Sequence, residues 1–144
     1  MGRLRYGLIG CGRISPNHIA AALANREQIE LVAVCDIVPE RMDLVLIQAG
    51  IKRDKIMKYT DYHAMLDSER LDLVAIATES GSHAEIALDC MDAGCNIIVE
   101  KPMALSIADA DRMIEVASEK GVVLCSCHQN RFNKSIEKIR EALD

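Results

Sequence analysis

Tryptophan is absent from this chain, and one Phe and three Tyr are the only aromatic rings besides histidine among its 144 residues. Half of the residues are nonetheless hydrophobic. A core that lacks aromatics has to be assembled from Val, Ile, Leu, Ala and Met, the palette of a parallel sheet buried on both faces. No apolar run approaches the roughly 20 residues that a membrane helix needs. No apolar signal segment follows Met1 either, because Arg3 and Arg5 interrupt the opening, so a cytoplasmic location without a membrane partner is expected. The start Met-Gly suits myristoylation, but Tyr6 stands where Ser or Thr is required. The six cysteines (Cys11, Cys35, Cys90, Cys95, Cys125 and Cys127) contain no Cys-x-x-Cys pair. Cys125 and Cys127 would share one strand face and are too few for zinc. All six are read as small buried hydrophobes, and no metal ligand is nominated. The net charge of -5 has basic residues scattered among acidic ones. That leaves no stripe for a nucleic-acid backbone or an anionic membrane.

A chain of this length supports one core and is too short for two ordinary domains. Short β-branched runs alternate with longer segments of helical period: Leu4 to Ile9, Ile29 to Cys35, a weaker Ile56 to Tyr59, Leu71 to Ala77, Asn96 to Val99, and Val122 to Cys125. This pattern predicts an α/β fold, a doubly wound parallel sheet of about six strands. Helix starts are expected at Ser15 before Pro16, at Pro39, at Asp61, and at two capping boxes, Ser82 with Glu85 and Ser106 with Asp109. Stops are expected at Gly50, Gly94 and Gly121. In the last segment, Asn133 to Leu143, an apolar stripe of Phe132, Ile136, Ile139 and Leu143 predicts a helix that covers the sheet's own face or leads elsewhere.

The first strand runs into Gly10-Cys11-Gly12-Arg13-Ile14-Ser15. In a strand-turn-helix, Gly10 allows the tight turn and Gly12 lets backbone approach a pyrophosphate. Ser15 keeps the third position small and is placed to cap a helix whose N–H groups face the phosphates. Asp36 ends the second strand, where a carboxylate accepts from the ribose hydroxyls of NAD and repels the 2'-phosphate of NADP. Its bland alternative is a strand-end cap, and Arg41 is the reason NADP stays open. Thr78 and His83 fall at the carboxyl edge of a later strand, with Glu79 unassigned; His18 and His63 read as packing or surface residues. In Glu100-Lys101-Pro102, strand residues deliver Lys101 to the same edge. There an ammonium can donate to a hydroxyl and favour its alkoxide, with Glu100 and desolvation adjusting its pKa. A surface ion pair at a strand end fits the spacing equally well.

From Gly7-Leu8-Ile9-Gly10-Cys11-Gly12 through Asp36, Ala77-Thr78, Val99-Glu100-Lys101-Pro102 and Gln129-Asn130-Arg131-Phe132, the chain resembles the N-terminal domain of the Gfo/Idh/MocA oxidoreductases. The resemblance implies an NAD-binding domain, residues 1–132, whose cofactor contacts come from Gly10, Gly12, Arg13, Ile14, Asp36, Thr78, His83, Glu100, Lys101 and Gln129. It makes Lys101 the catalytic residue, with its bond to Pro102 often cis, and it places Gln129 and Asn130 near the carboxamide or the sugar. The implied reaction is hydride transfer between NAD and a sugar or nucleotide-sugar hydroxyl. The Gly12-Arg13-Ile14-Ser15 and Gln129-Asn130-Arg131 stretches look most like dehydrogenases of UDP-N-acetylated sugars and their uronic acids. Glu79 departs from the proline common in relatives. The family's proton-accepting histidine and its oligomerising sheet belong to a second domain, into which residues 133–144 would lead. This chain alone is therefore expected to bind cofactor with little turnover. A non-catalytic nucleotide sensor or interaction module is the rival reading.

Overall fold

Side chains that alternate along each strand give the sheet two buried faces. Leu8 and Ile9 of β1 (Leu4–Ile9) are both almost fully buried, yet they belong to opposite sides of the core, as the period of two along a strand requires. The computed structural model describes residues 2–143. Met1 and Asp144, the outer ends of the expected segments 1–132 and 133–144, lie outside the described residues.

β2 (Ile29–Cys35), β3 (Met57–Tyr59), β4 (Leu73–Ile76), β5 (Asn96–Val99) and β6 (Leu124–Ser126) join β1 in one sheet ordered β3-β2-β1-β4-β5-β6. Every neighbouring pair is parallel. Helices α1 (Ser15–Ala24) and α2 (Pro39–Gln48) cover one face, where Ile19, Met42 and Leu46 meet Leu8, Val34 and Ala75. On the other face α3 (Tyr62–Ser68), α4 (His83–Asp92) and α5 (Ile107–Lys120) bring Met65, Met91 and Met113 against Ile9, Ile76 and Ile97. Each of these aliphatic or thioether side chains contributes about 1.5–3 kcal/mol by leaving water. The expected doubly wound sheet is thus present. β1 and β4 connect to opposite sides, which opens a crevice at their carboxyl ends.

Several local expectations need correcting. Ser15 does not cap α1: its hydroxyl is buried and donates to Gly12 O at 2.6 Å, while Ile14 holds the cap position. Ser82 makes no capping bond; its hydroxyl lies 2.9 Å from Thr78 Oγ1 and 3.0 Å from Glu79 O and shares its one hydrogen between these loop partners. Ser106 behaves as predicted, accepting from the Asp109 N–H at 3.0 Å and donating to the Asp109 carboxylate at 2.7 Å. Asp61 likewise accepts from His63 N at 3.0 Å to open α3. Gly121 takes φ 66° at the end of α5, the left-handed turn that a residue without Cβ closes cheaply. Cys11, Cys35, Cys90 and Cys95 are buried as expected, but Cys125 is exposed and Cys127 half-buried because β6 is an edge strand. The last helix, α6 (Lys134–Leu143), does not cover the sheet. None of its described residues is buried, and Ile136, Ile139 and Leu143 are exposed. Among the described residues no helix is long and apolar enough to cross a membrane.

Candidate dinucleotide-binding site

At the switch point β1 and β4 approach so closely that only glycine fits. Gly10 has φ 93°, and a Cβ built on it would lie 2.5 Å from Ala77 C, 2.6 Å from Ala77 O and 2.7 Å from Thr78 N. Gly12 differs: a Cβ there would meet nothing within 4 Å. Its bare face opens on a crevice of about 930 Å³ that also receives Arg13 and Ile14. Ser15 closes the turn from behind, since both its amide (3.2 Å) and its hydroxyl (2.6 Å) donate to Gly12 O. The Ser15 and Asn17 amides are spent on Gly12 O and Ile14 O and Pro16 has none, so what the start of α1 offers the crevice is the turn at Gly12, Arg13 and Ile14 and the positive end of the helix dipole, a setting that favours a phosphate.

Asp36 walls the crevice from the end of β2 and is 7% exposed. Its Oδ2 accepts from Cys11 N at 2.7 Å, and its Oδ1 accepts from Val38 N at 2.8 Å. The carboxylate thus pins the glycine turn to β2 and caps its own strand end. Each oxygen keeps lone-pair capacity for a further donor, so a ribose diol is compatible with both bonds. Arg41 Nη1 stands 3.8 Å from Oδ1, a loose and half-exposed partner. Burial first, then the Asp36 charge, pushes the Cys11 and Cys35 thiols from 9.0 up to about 12. Both stay neutral beside the carboxylate.

Thr78, Glu79, His83, Glu100, Lys101 and Gln129 form the opposite wall, so all ten residues expected as cofactor contacts line this one crevice, while Asn130 does not. Glu79 accepts from Gly81 N at 2.7 Å and shapes the turn after β4. His83 is 1% exposed and spans two loops: its Nδ1 lies 2.8 Å from Pro102 O and its Nε2 3.2 Å from Thr78 O. The Lys101–Pro102 bond is cis, and Lys101 is exposed at the rim. The contact that Glu100 makes is with a residue read from the sequence as packing or surface: His18 Nε2 lies 2.9 Å from Glu100 Oε1, both side chains being nearly buried. Cys127 completes this cluster, its ligand atom and those of His18 and Glu100 lying within 4.8 Å of one another. Burial, then Glu100, pushes the Cys127 thiol up to about 11. The His18–Glu100 spacing is that of a hydrogen bond; an ion with ligand bonds of about 2.0–2.1 Å would hold the two atoms farther apart.

Two wall features escaped the sequence reading. Ile37 is 84% exposed although apolar, and it follows Asp36 directly into the crevice. Tyr62 and His63 stack at the rim with ring centres 4.0 Å apart, and the Tyr62 hydroxyl donates to Asp89 at 2.6 Å. Asn130 is turned towards its own loop, where its Oδ1 accepts from Asn133 Nδ2 at 3.3 Å.

Comparison with known proteins agrees with this geometry. A profile of the oxidoreductase family with an NAD-binding Rossmann fold, Gfo/Idh/MocA, matches residues 4–128. Myo-inositol 2-dehydrogenase of Thermotoga maritima is 30% identical over 141 residues, 98% of this chain and 41% of that protein. D-apiose dehydrogenase of Paraburkholderia graminis is 37% identical over 98% of this chain and 36% of its own length. The WlbA dehydrogenase of Bordetella pertussis, solved with NADH and UDP-GlcNAcA, superposes with a TM-score of 0.89 at 34% identity, over 99% of this chain and 42% of that one. The chain thus spans about two-fifths of the length of the relatives it matches. With its phosphate turn, buried Asp36 and Glu-Lys-Pro edge in one crevice, the chain belongs to the Gfo/Idh/MocA oxidoreductases as their NAD-binding Rossmann domain.

Proposed function

We propose that this domain supplies the NAD site and the catalytic amine of an enzyme that moves a hydride between NAD and a sugar or nucleotide-sugar hydroxyl. Bound NAD supplies the hydride acceptor. The turn at Gly12, Arg13 and Ile14 holds the pyrophosphate over the start of α1, and Asp36 takes the adenosine ribose on the β2 side. The dinucleotide then extends across the switch point towards β4 and β5, where Thr78, Glu100 and Lys101 wait. The Lys101 ammonium donates to the reacting hydroxyl oxygen and stabilises the negative charge that grows there as the carbon gives up its hydride. A second domain, reached through α6, contributes the proton acceptor, the rest of the sugar pocket and the oligomer contacts.

The observation that carries the reading is Lys101 exposed on the same crevice as the phosphate turn, at the end opposite Asp36. A sensor needs the turn and Asp36 but has no use for an amine there. UDP-N-acetylated sugars and their uronic acids are the favoured substrate class, supported by the likeness to WlbA solved with UDP-GlcNAcA. Cysteines that are all unpaired suit a reducing cytoplasm. The test is an NADH titration followed by nicotinamide fluorescence: saturable binding that is weaker for NADPH is expected, and a featureless titration refutes the proposal.

A further inference from the structure

Lys101 carries the proposed chemistry, yet what orients it is a pair of imidazoles that hold the residues on either side of it. His83, from α4, meets the carbonyl of Pro102, the residue after it; His18, from α1, meets the carboxylate of Glu100, the residue before it. The two rings come from helices on opposite faces of the sheet. The Glu100–Pro102 segment is therefore held from both sides just past the end of β5, where the bond from Glu100 N to Ile76 O at 3.0 Å is the only backbone pairing to β4 among these three residues. Glu100 has 12% of its side chain exposed and His18 has 11%, so water is a poor substitute for either partner. A buried carboxylate that loses its donor must turn to find another. The neighbouring groups offer little, because the Cys127 thiol is neutral at ordinary pH and weak as a donor.

We infer that His18 is a positioning residue: by donating from Nε2 to Glu100 it fixes the backbone that presents Lys101 to the nicotinamide half of the cofactor. Sequence places His18 one helical turn behind Ser15, so α1 serves both ends of the crevice. Its first turn faces the phosphates, and its second turn sets the reactive edge. The inference rests on the NAD site proposed above. It goes beyond that proposal by assigning a role to a side chain that needs no contact with the cofactor.

The test separates the two halves of the ligand. NADH and ADP-ribose share the pyrophosphate and adenosine, and only NADH carries the nicotinamide. His18→Ala is expected to weaken NADH by about tenfold, the loss of one hydrogen bond to a charged group, while ADP-ribose changes by less than about twofold. His18→Gln, whose amide donates at similar reach, should recover most of the loss. Circular dichroism of both variants should match the parent, since His18 belongs to neither of the hydrophobic clusters that form the core. Equal weakening of both ligands, or no weakening of NADH, overturns the inference and leaves the NAD site standing. Failure of the unsubstituted chain to bind either ligand overturns both.

Discussion

Asp36→Ala should lower stability and NADH affinity together, because one carboxylate serves both. In the folded chain its oxygens accept from Cys11 N at 2.7 Å and Val38 N at 2.8 Å, with 5% of the side chain exposed. Hydrogen bonds to a charged acceptor are worth about 1.5–3 kcal/mol each, and the carboxylate's own desolvation offsets part of that gain, so removing both should cost about 3 kcal/mol. For a domain of this size about 1 kcal/mol corresponds to roughly 2–4 °C, which puts the expected drop in Tm at about 6–12 °C. Losing the ribose acceptor should weaken NADH by about a hundredfold. NADPH should lose less, because Arg41, released from its loose pairing 3.8 Å away, can meet the 2'-phosphate. Asp36→Asn is the control: it keeps one acceptor and points an amide at the other N–H, so its Tm should fall between the two. The assays are thermal melting by circular dichroism and fluorescence titration of the folded variants at a temperature well below their midpoints. A Tm within about 2 °C of the parent would refute the turn-pinning role. An unchanged NADH affinity would refute the ribose role.

The two turn glycines should separate folding from binding. Gly10→Ala puts a Cβ 2.5 Å from Ala77 C at φ 93° and should prevent normal folding, seen as a lost or broadened melting transition. Gly12→Ala meets open space, so its Tm should stay within about 2 °C while NADH binding falls sharply, because the new methyl projects into the crevice. The cysteines predict an alkaline limit. The folded pKa values of Cys11 and Cys35 are raised from 9.0 to about 12, so ionisation favours the unfolded chain. Stability from these groups is fully present below about pH 9 and is lost as pH rises towards 12. A urea midpoint that stays flat across that range would contradict the burial. At pH 8 a thiol reagent should modify exposed Cys125 first, with the buried thiols reacting only on unfolding.

What the sequence makes legible is whatever depends on near neighbours. The six strands, their parallel orientation and the glycine turn follow from alternation, β-branched runs and turn residues, all read within windows of a dozen positions. Capping was legible only where the serine's own turn decided it. Ser106 and Asp109 satisfy each other across three residues. The same pattern at Ser82 and Glu85 failed because Thr78 and Glu79 O offered the hydroxyl better partners from the preceding loop. Ser15 went the same way, drawn to Gly12 O by the turn it was meant only to follow. The starts of β4 and β6 fall two residues later than expected and their ends differ by one, because pairing with β1 and β5, not local propensity, sets where a ladder starts and stops.

The site itself divides along that line. Gly10, Gly12, Asp36 and Lys101 were legible because each sits at the end of a strand, and in a parallel sheet strand ends converge on one edge whatever lies between them. His18 was not legible. Its partner Glu100 is 82 positions away, and nothing in the surrounding helical period distinguishes a histidine that faces a carboxylate from one that faces water. A motif names the groups that touch a ligand, since their spacing is set by the ligand. The groups that hold those residues in place are chosen by the packing of α1 and α4 against opposite faces of the sheet, and that choice becomes visible only when the faces are assembled. The same logic explains α6. Its apolar stripe is plain in the sequence, but a stripe states only that a helix needs a partner, and the sheet, already covered by five helices, does not provide one.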